Sequence, residues 1–188
     1  MYGKRHELLL AATQLFAEEG LGVSTARIAK VAGVASGTLF TYFPTKQALL
    51  DELYMELKKE VIGLFLGVKA DRAVGLKDIS EGIWNAYIRW AMANAAKNTT
   101  MNLLKSSGML SAEVVAQAME TFKPLEQMIQ QGIDAGVLAP IEMGYLQLVM
   151  AAQIDACIAQ AKLAELKGKA LEAHLGLGFR VFWKGVAA

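Results

Sequence analysis

Residues 24–50 read STARIAKVAGVASGTLFTYFPTKQALL, and their grammar decides the fold. Ser24 stands where an N-cap belongs, its hydroxyl able to accept from a free amide one turn on. Ile28, Ala29 and Ala32 then share one helical face. Gly33 can take the left-handed backbone that ends this first helix, which a side chain would disfavour. Val34 follows as a hinge contact, and Ser36, Gly37 and Thr38 open a second helix with Leu39 and Phe43 on its inner side. Pro44 stops that helix, because proline lacks the amide and disfavours helix at the residue before it. Thr45 caps a third. Two short helices around a glycine turn form a helix-turn-helix, whose second helix enters the DNA major groove.

Taken together, Ser24-x-x-x-Ile28-Ala29, Ala32-Gly33-Val34, Gly37-Thr38-Leu39-Phe40, Tyr42-Phe43 and Lys46-x-x-Leu49 resemble the DNA-binding domain of the TetR family of transcriptional regulators. The resemblance covers about the first quarter of the chain. It implies that the positions of Thr25, Ser36, Gly37, Thr38, Tyr42 and Lys46 line operator DNA. The residue pattern adds Thr41, which points away from Leu39 and Phe43 together with Ser36 and Tyr42. Hydroxyls there can bond base edges or phosphate oxygens, and Gly37 lets the backbone approach. Lys46 sits at a helix N-terminus, where free amides and the helix dipole also favour phosphate. The chain departs from the family at three points: serine replaces a common lysine or arginine at Ser36, alanine replaces serine at Ala35, and Phe40 replaces a frequent tyrosine.

Outward from this stretch, the 188 residues are 54% hydrophobic and 20% charged, which provides for a large core and a subunit interface and excludes a disordered chain. The net charge of +1 confines any attraction to DNA to one face. Residues 1–50 carry five basic side chains against three acidic ones, so that face belongs to the N-terminal region. Cys157 is the only cysteine, which rules out an intrachain disulfide and suits a reducing cytoplasm. Lys4-Arg5 followed by Leu8–Ala12 imitates a leader peptide, but the apolar run breaks at Thr13-Gln14. No segment approaches the ~20 apolar residues of a membrane span. A soluble cytoplasmic protein with no membrane partner is expected.

Helical periodicity recurs along the whole chain and no stretch alternates as a strand does, so the fold is all-α. The expected helices cover residues 4–19, preceded by a short basic arm over 2–6, then about 46–66, 78–93, a short piece at 101–105, 111–135 with Pro124 inside, 142–167 and 169–187. Residues 67–77 and 94–100 read as breaks. The expected organisation is a three-helix DNA-binding domain over 1–48 and a helical ligand-binding and dimerisation domain over 49–188.

Trp84, Tyr87 and Trp90 fall within two turns of one helix, and Met92, Met101, Met119, Phe122, Met128, Tyr145 and Met150 lie in segments able to join them. Aromatic and methionine walls suit flat or flexible apolar ligands. The plainer alternative is that these side chains are core. The tract Ile83-Trp84-Asn85-x-Tyr87-Ile88-x-Trp90 is similar to the RamR-type, multidrug-responsive branch of the family. Trp84, Tyr87, Trp90, Met101 and Phe122 are therefore the candidate ligand-binding residues. Asp155, among apolar neighbours, is a candidate counter-charge for a cationic effector, though such a carboxylate more often pairs with arginine or meets solvent.

Enzymatic chemistry finds no support. The two histidines, His6 and His174, are expected to sit beside neither Cys157 nor another plausible ligand, and there is no nucleophile elbow, phosphate loop or zinc spacing. No cofactor is implied. The helices holding Leu148, Val149, Ala152 and Ala156, and Leu171, Leu175, Phe179 and Phe182, are too apolar to face water and are expected to pair with their two-fold copies in a homodimer. The resemblance implies a repressor whose small hydrophobic effector shifts the dimer between two states, the long fourth helix carrying the change. The alternative from another class is a helical small-molecule binding protein with no DNA role.

Overall fold

The computed structural model describes residues 3–70 and 75–188, and every named element in them is an α-helix. In order these are α1 (Lys4–Glu19), α2 (Thr25–Val31), α3 (Ser36–Tyr42), α4 (Lys46–Ala70), α5 (Leu76–Ala93), α6 (Ala95–Ser106), α7 (Ala112–Asp134), α8 (Met143–Leu163) and α9 (Gly168–Val186). The one bridge of strand type, between Leu138 and Ala187, ties the chain's end to the turn before α8. No helix among the described residues is long and apolar enough to cross a membrane. By packing, the chain forms two compact units, 1–60 with 94–120 and 61–93 with 121–188. This division follows contacts, and differs in kind from the functional division at residue 48 expected from the sequence.

In the first unit α1 lies chiefly against α6 and also packs on α2 and α3. Leu8, Ala12, Phe16, Ile28, Leu39 and Phe43 are completely buried there. The expected break at 94–100 is helix α6. Two of its polar residues, Asn98 and Thr100, are buried rather than solvated: Thr100 Oγ1 donates to the Thr13 carbonyl at 2.8 Å, and Thr13 Oγ1 donates to that of Leu9 at 2.8 Å. A buried hydroxyl so bonded costs little. The expected basic arm is also corrected, since Lys4, Arg5 and His6 belong to α1 and Arg5 pairs with Glu52 and Glu56 of α4.

In the second unit α5, α8 and α9 pack on one another. α4 continues to Ala70 and α5 starts at Leu76, so the loop expected over 67–77 is shorter at both ends, and its residues 71–74 lie outside the described ones. Two glycines explain the extra turns. A Cβ on Gly82 would come within 2.5 Å of Val68 Cγ1, and one on Gly132 within 2.2 Å of Leu76 Cδ2. Each bare glycine admits the side chain that anchors a helix end, and hydropathy does not register it.

α8 begins on Glu142, whose carboxylate accepts from the Gly144 and Tyr145 amides at 2.9 and 2.8 Å. Those amides hold its pKa below the usual carboxylate range, so the cap is at full strength at neutral pH and weakens as pH falls through that lowered pKa. At the other end, Leu166 N–H returns to the Ala161 carbonyl at 2.9 Å while Glu165 stands at φ +49°. This is a Schellman stop with glutamate in the place that favours glycine. Glu165→Gly is expected to stabilise the protein by about 1 kcal/mol in chemical denaturation. An unchanged or lower midpoint would show that the left-handed residue carries no strain.

The interface residues expected on α9 need correction. Leu175, Phe179 and Phe182 are buried within the protomer itself, at 1%, 1% and 7% exposure. Phe179 and Phe182 close on Trp84 at ring distances of 6.1 and 5.5 Å. Leu148, Ala152 and Ala156 of α8 are exposed, as are Leu163, Leu177 and Val181, while Val149 and Leu171 are half-buried.

Candidate functional site

The helix-turn-helix is assembled by short-range chemistry. Ser24 Oγ accepts the Arg27 amide at 3.2 Å and opens α2. Gly33 takes φ +70°, and the Val34 amide turns back to the Ala29 carbonyl at 3.0 Å. α3 sinks Leu39 into the core, Phe43 follows it, and Thr45 Oγ1 accepts the Ala48 amide at 3.0 Å to open α4. What remains outward on α3 is Ser36, Gly37, Thr41 and Tyr42, with Thr38 half-exposed; Thr25 is half-exposed at the start of α2. The Thr41 hydroxyl donates to the Gly37 carbonyl at 3.2 Å, so toward a ligand it acts as an acceptor.

Phe40, 48% exposed, shares this face. It was absent from the candidate set, although it stands four residues after Ser36 and three after Gly37, the spacing of one helical face. Arg27 is not a free cation. Its guanidinium forks onto Glu19 at 3.0 Å to each oxygen, which raises the arginine pKa and lowers that of the glutamate.

Lys46 is half-buried, and its Nζ donates to the Leu21 carbonyl at 2.7 Å. One of its three protons thus pins the start of α4 to the α1–α2 turn, leaving two for a phosphate. Lys46→Ala is expected to weaken specific and random DNA alike and to lower the salt slope by about 0.9. It is also expected to cost about 1 kcal/mol of stability through the lost bond. A change confined to the preferred sequence would make Lys46 a base reader.

The second unit encloses a cavity of about 70 Å³, room for several water-sized molecules. Trp84 and Tyr87 of α5 line it with Phe65 of α4, Met128 of α7, Met150 and Ile154 of α8, and Phe182 and Trp183 of α9. A second cavity of about 20 Å³ shares Phe65, Ile83, Leu125 and Met128 with it. Trp90 stands behind Tyr87 at a ring distance of 5.7 Å, and Phe122 meets Phe65 edge-on at 6.0 Å; neither is on the wall. Met101 is buried in the first unit. Asp155 is exposed on α8 and does not line the cavity, though its charge, after burial, helps push the Tyr87 hydroxyl up to about 12. Phe182 and Trp183 are lining residues that the sequence reading missed, because α9 was assigned wholly to an interface.

Cys157 and His174 require a correction too. α8 and α9 fold back on each other, which brings Cys157 Sγ to 3.3 Å from His174 Nε2. The same nitrogen lies 3.0 Å from the Cys157 carbonyl. Burial pushes the thiol pKa up, so the sulfur stays protonated and unreactive.

Known proteins agree with this geometry. The family model described as "Bacterial regulatory proteins, tetR family" matches residues 8–53. A tetR family transcription regulator from Shewanella sp. PV-4 has a solved structure that superposes with a TM-score of 0.88 at 32% identity, covering 100% of both chains. The HTH-type transcriptional regulator YhgD of Bacillus subtilis (strain 168) is 28% identical over 154 residues, 78% of each protein. The HTH-type transcriptional repressor KstR2 of Rhodococcus jostii (strain RHA1) is 39% identical over 69 residues, a stretch that is 36% of this chain and 34% of that one.

Proposed function

Since the chain belongs to the TetR family of transcriptional regulators, we propose that it is a cytoplasmic, ligand-responsive repressor released from its operator by a small hydrophobic effector. The observation that carries the reading is the division of α3: Leu39 completely buried, with Ser36, Gly37, Thr41 and Tyr42 exposed beside it. Those residues, with Thr25, Thr38 and Lys46, are the proposed DNA contacts. Residues 1–48 serve as the DNA-binding domain and 49–188 as the ligand-binding and dimerisation domain.

A homodimer through α8 and α9 is part of the proposal. The exposed apolar side chains Leu148, Leu163, Leu177 and Val181, with Ala152 and Ala156 between them, give two helices a face to bury against a two-fold copy. The tract from Ile83 to Trp90 supports placing the chain in the multidrug-responsive, RamR-like branch. α4 carries Lys46 in its first turn and Phe65, a residue of the cavity wall, further along.

Trp84 and Trp183 line the cavity, so an effector seated there quenches tryptophan fluorescence. Screening small apolar compounds, charged and uncharged, is expected to yield a compound that quenches and releases DNA over one concentration range. By linkage, DNA then weakens the compound's binding by the factor with which the compound weakens DNA. Quenching with no release at saturation would favour the helical binding protein without a DNA role.

A further inference from the structure

We propose that the cavity of the second unit takes an uncharged, largely apolar small molecule whose hydrogen-bond acceptor is met by the indole N–H of Trp84. The proposal rests on the ligand-responsive reading and narrows it to a chemical class. Among the described residues, no lysine, arginine, histidine, aspartate or glutamate lines the cavity. Asp155, the carboxylate that would have welcomed a cation, is exposed and off the wall. Burial keeps the Tyr87 phenol neutral at physiological pH. An ammonium or carboxylate group would therefore surrender its hydration and meet no counter-charge.

Trp84 supplies the other half of the specification. It is 2% exposed, and its Nε1 is buried without a hydrogen-bond partner. Phe182 stacks on it at 5.5 Å and Phe179 meets it at 6.1 Å, and neither ring offers an oxygen. Gln147, a polar member of the wall, gives its amide nitrogen to Glu126 at 3.1 Å. An indole nitrogen is a donor only, and a buried donor left unbonded is rare. An acceptor on the bound molecule satisfies it. A ketone, ester, ether or alcohol on a ring system or short chain has this chemistry. The small cavity beside the main one, sharing Phe65 and Met128, gives a longer ring system somewhere to extend, since methionine readily changes rotamer.

Four one-ring probes of one shape test this on the full chain by titration calorimetry: acetophenone, ethylbenzene, benzoate and benzylammonium. Acetophenone is expected to bind about tenfold tighter than ethylbenzene, with both ions at least about tenfold weaker than the hydrocarbon. Trp84→Phe keeps an aromatic ring and removes the donor. It is expected to erase the ketone's advantage while leaving ethylbenzene affinity within about twofold. If that variant does not fold, the ketone–hydrocarbon comparison on the unaltered chain decides alone.

Equal binding of ketone and hydrocarbon, an ion binding as well as the ketone, no binding by any probe, or an advantage that survives Trp84→Phe would each overturn the proposal. Release of labelled upstream DNA is measured separately. The expected affinity order without release would sink the regulatory reading and keep the cavity's chemistry. Release by an ion alone would do the reverse.

Discussion

Replacing Phe179 by glutamate is expected to lower the melting temperature by roughly 10–20 °C, or to prevent folding of the second unit altogether. Phe179 is 1% exposed within the protomer, enclosed by Trp84, Phe182 and Trp183 at ring distances of 6.1, 6.4 and 5.8 Å. The substitution removes those contacts and places an unpaired carboxylate among aromatic rings. Breaking a buried charge arrangement costs ~3–5 kcal/mol, and losing a buried phenylalanine costs about as much. Domains of this kind have ~5–15 kcal/mol in total, and each kcal/mol moves the midpoint by about 2–4 °C at this size. Thermal denaturation followed by circular dichroism reads the effect. A monomer of unaltered melting temperature would return Phe179 to a subunit interface.

Leu177→Glu, two residues away, is expected to do the opposite: spare the fold and split the dimer. Leu177 is 54% exposed and makes part of the apolar face of α8 and α9, so glutamate there meets water in a lone protomer. Across a two-fold interface it meets its own copy, and two carboxylates are desolvated together. Sedimentation is expected to show a monomer with unchanged helicity. Operator affinity is expected to fall by about 10²–10⁴, the avidity lost when two reading heads are no longer joined. A dimer that persists, with full affinity, places the interface on another face.

The contrast between these two apolar faces of α9 explains what was legible in the chain. The helix-turn-helix was readable because Ser24, Gly33, Pro44 and Thr45 each act on residues within about one turn. α9 was not, because it is apolar on both sides; Phe179 and Phe182 turn inward onto Trp84, and Leu177 and Val181 outward, through contacts made only in the fold. α6 was hidden by Asn98 and Thr100, both buried, and the Thr100 hydroxyl needs α1 there to accept its bond. The ends of α4 and α5 depend on glycines about sixty residues or fewer from the side chains they admit.

The candidate cavity shows the same limit. Trp84 and Tyr87 lie on its wall and three-residue spacing on one helix accounts for both. Met101 was grouped with them by residue type and Asp155 by its charge among apolar neighbours, and neither carries information about which way a helix turns. The meeting of Cys157 with His174 needs α8 and α9 folded together, which no local pattern encodes.

The most direct measurement is fluorescence anisotropy of the unaltered protein on two duplexes of equal length at about 0.15 M salt. One carries the DNA immediately upstream of its own gene, the other a scrambled sequence. The expected result is binding to the upstream duplex at least about 10³-fold tighter than to the scrambled one. Equal affinity for the two, or no binding to either, would contradict the claim that α3 reads an operator.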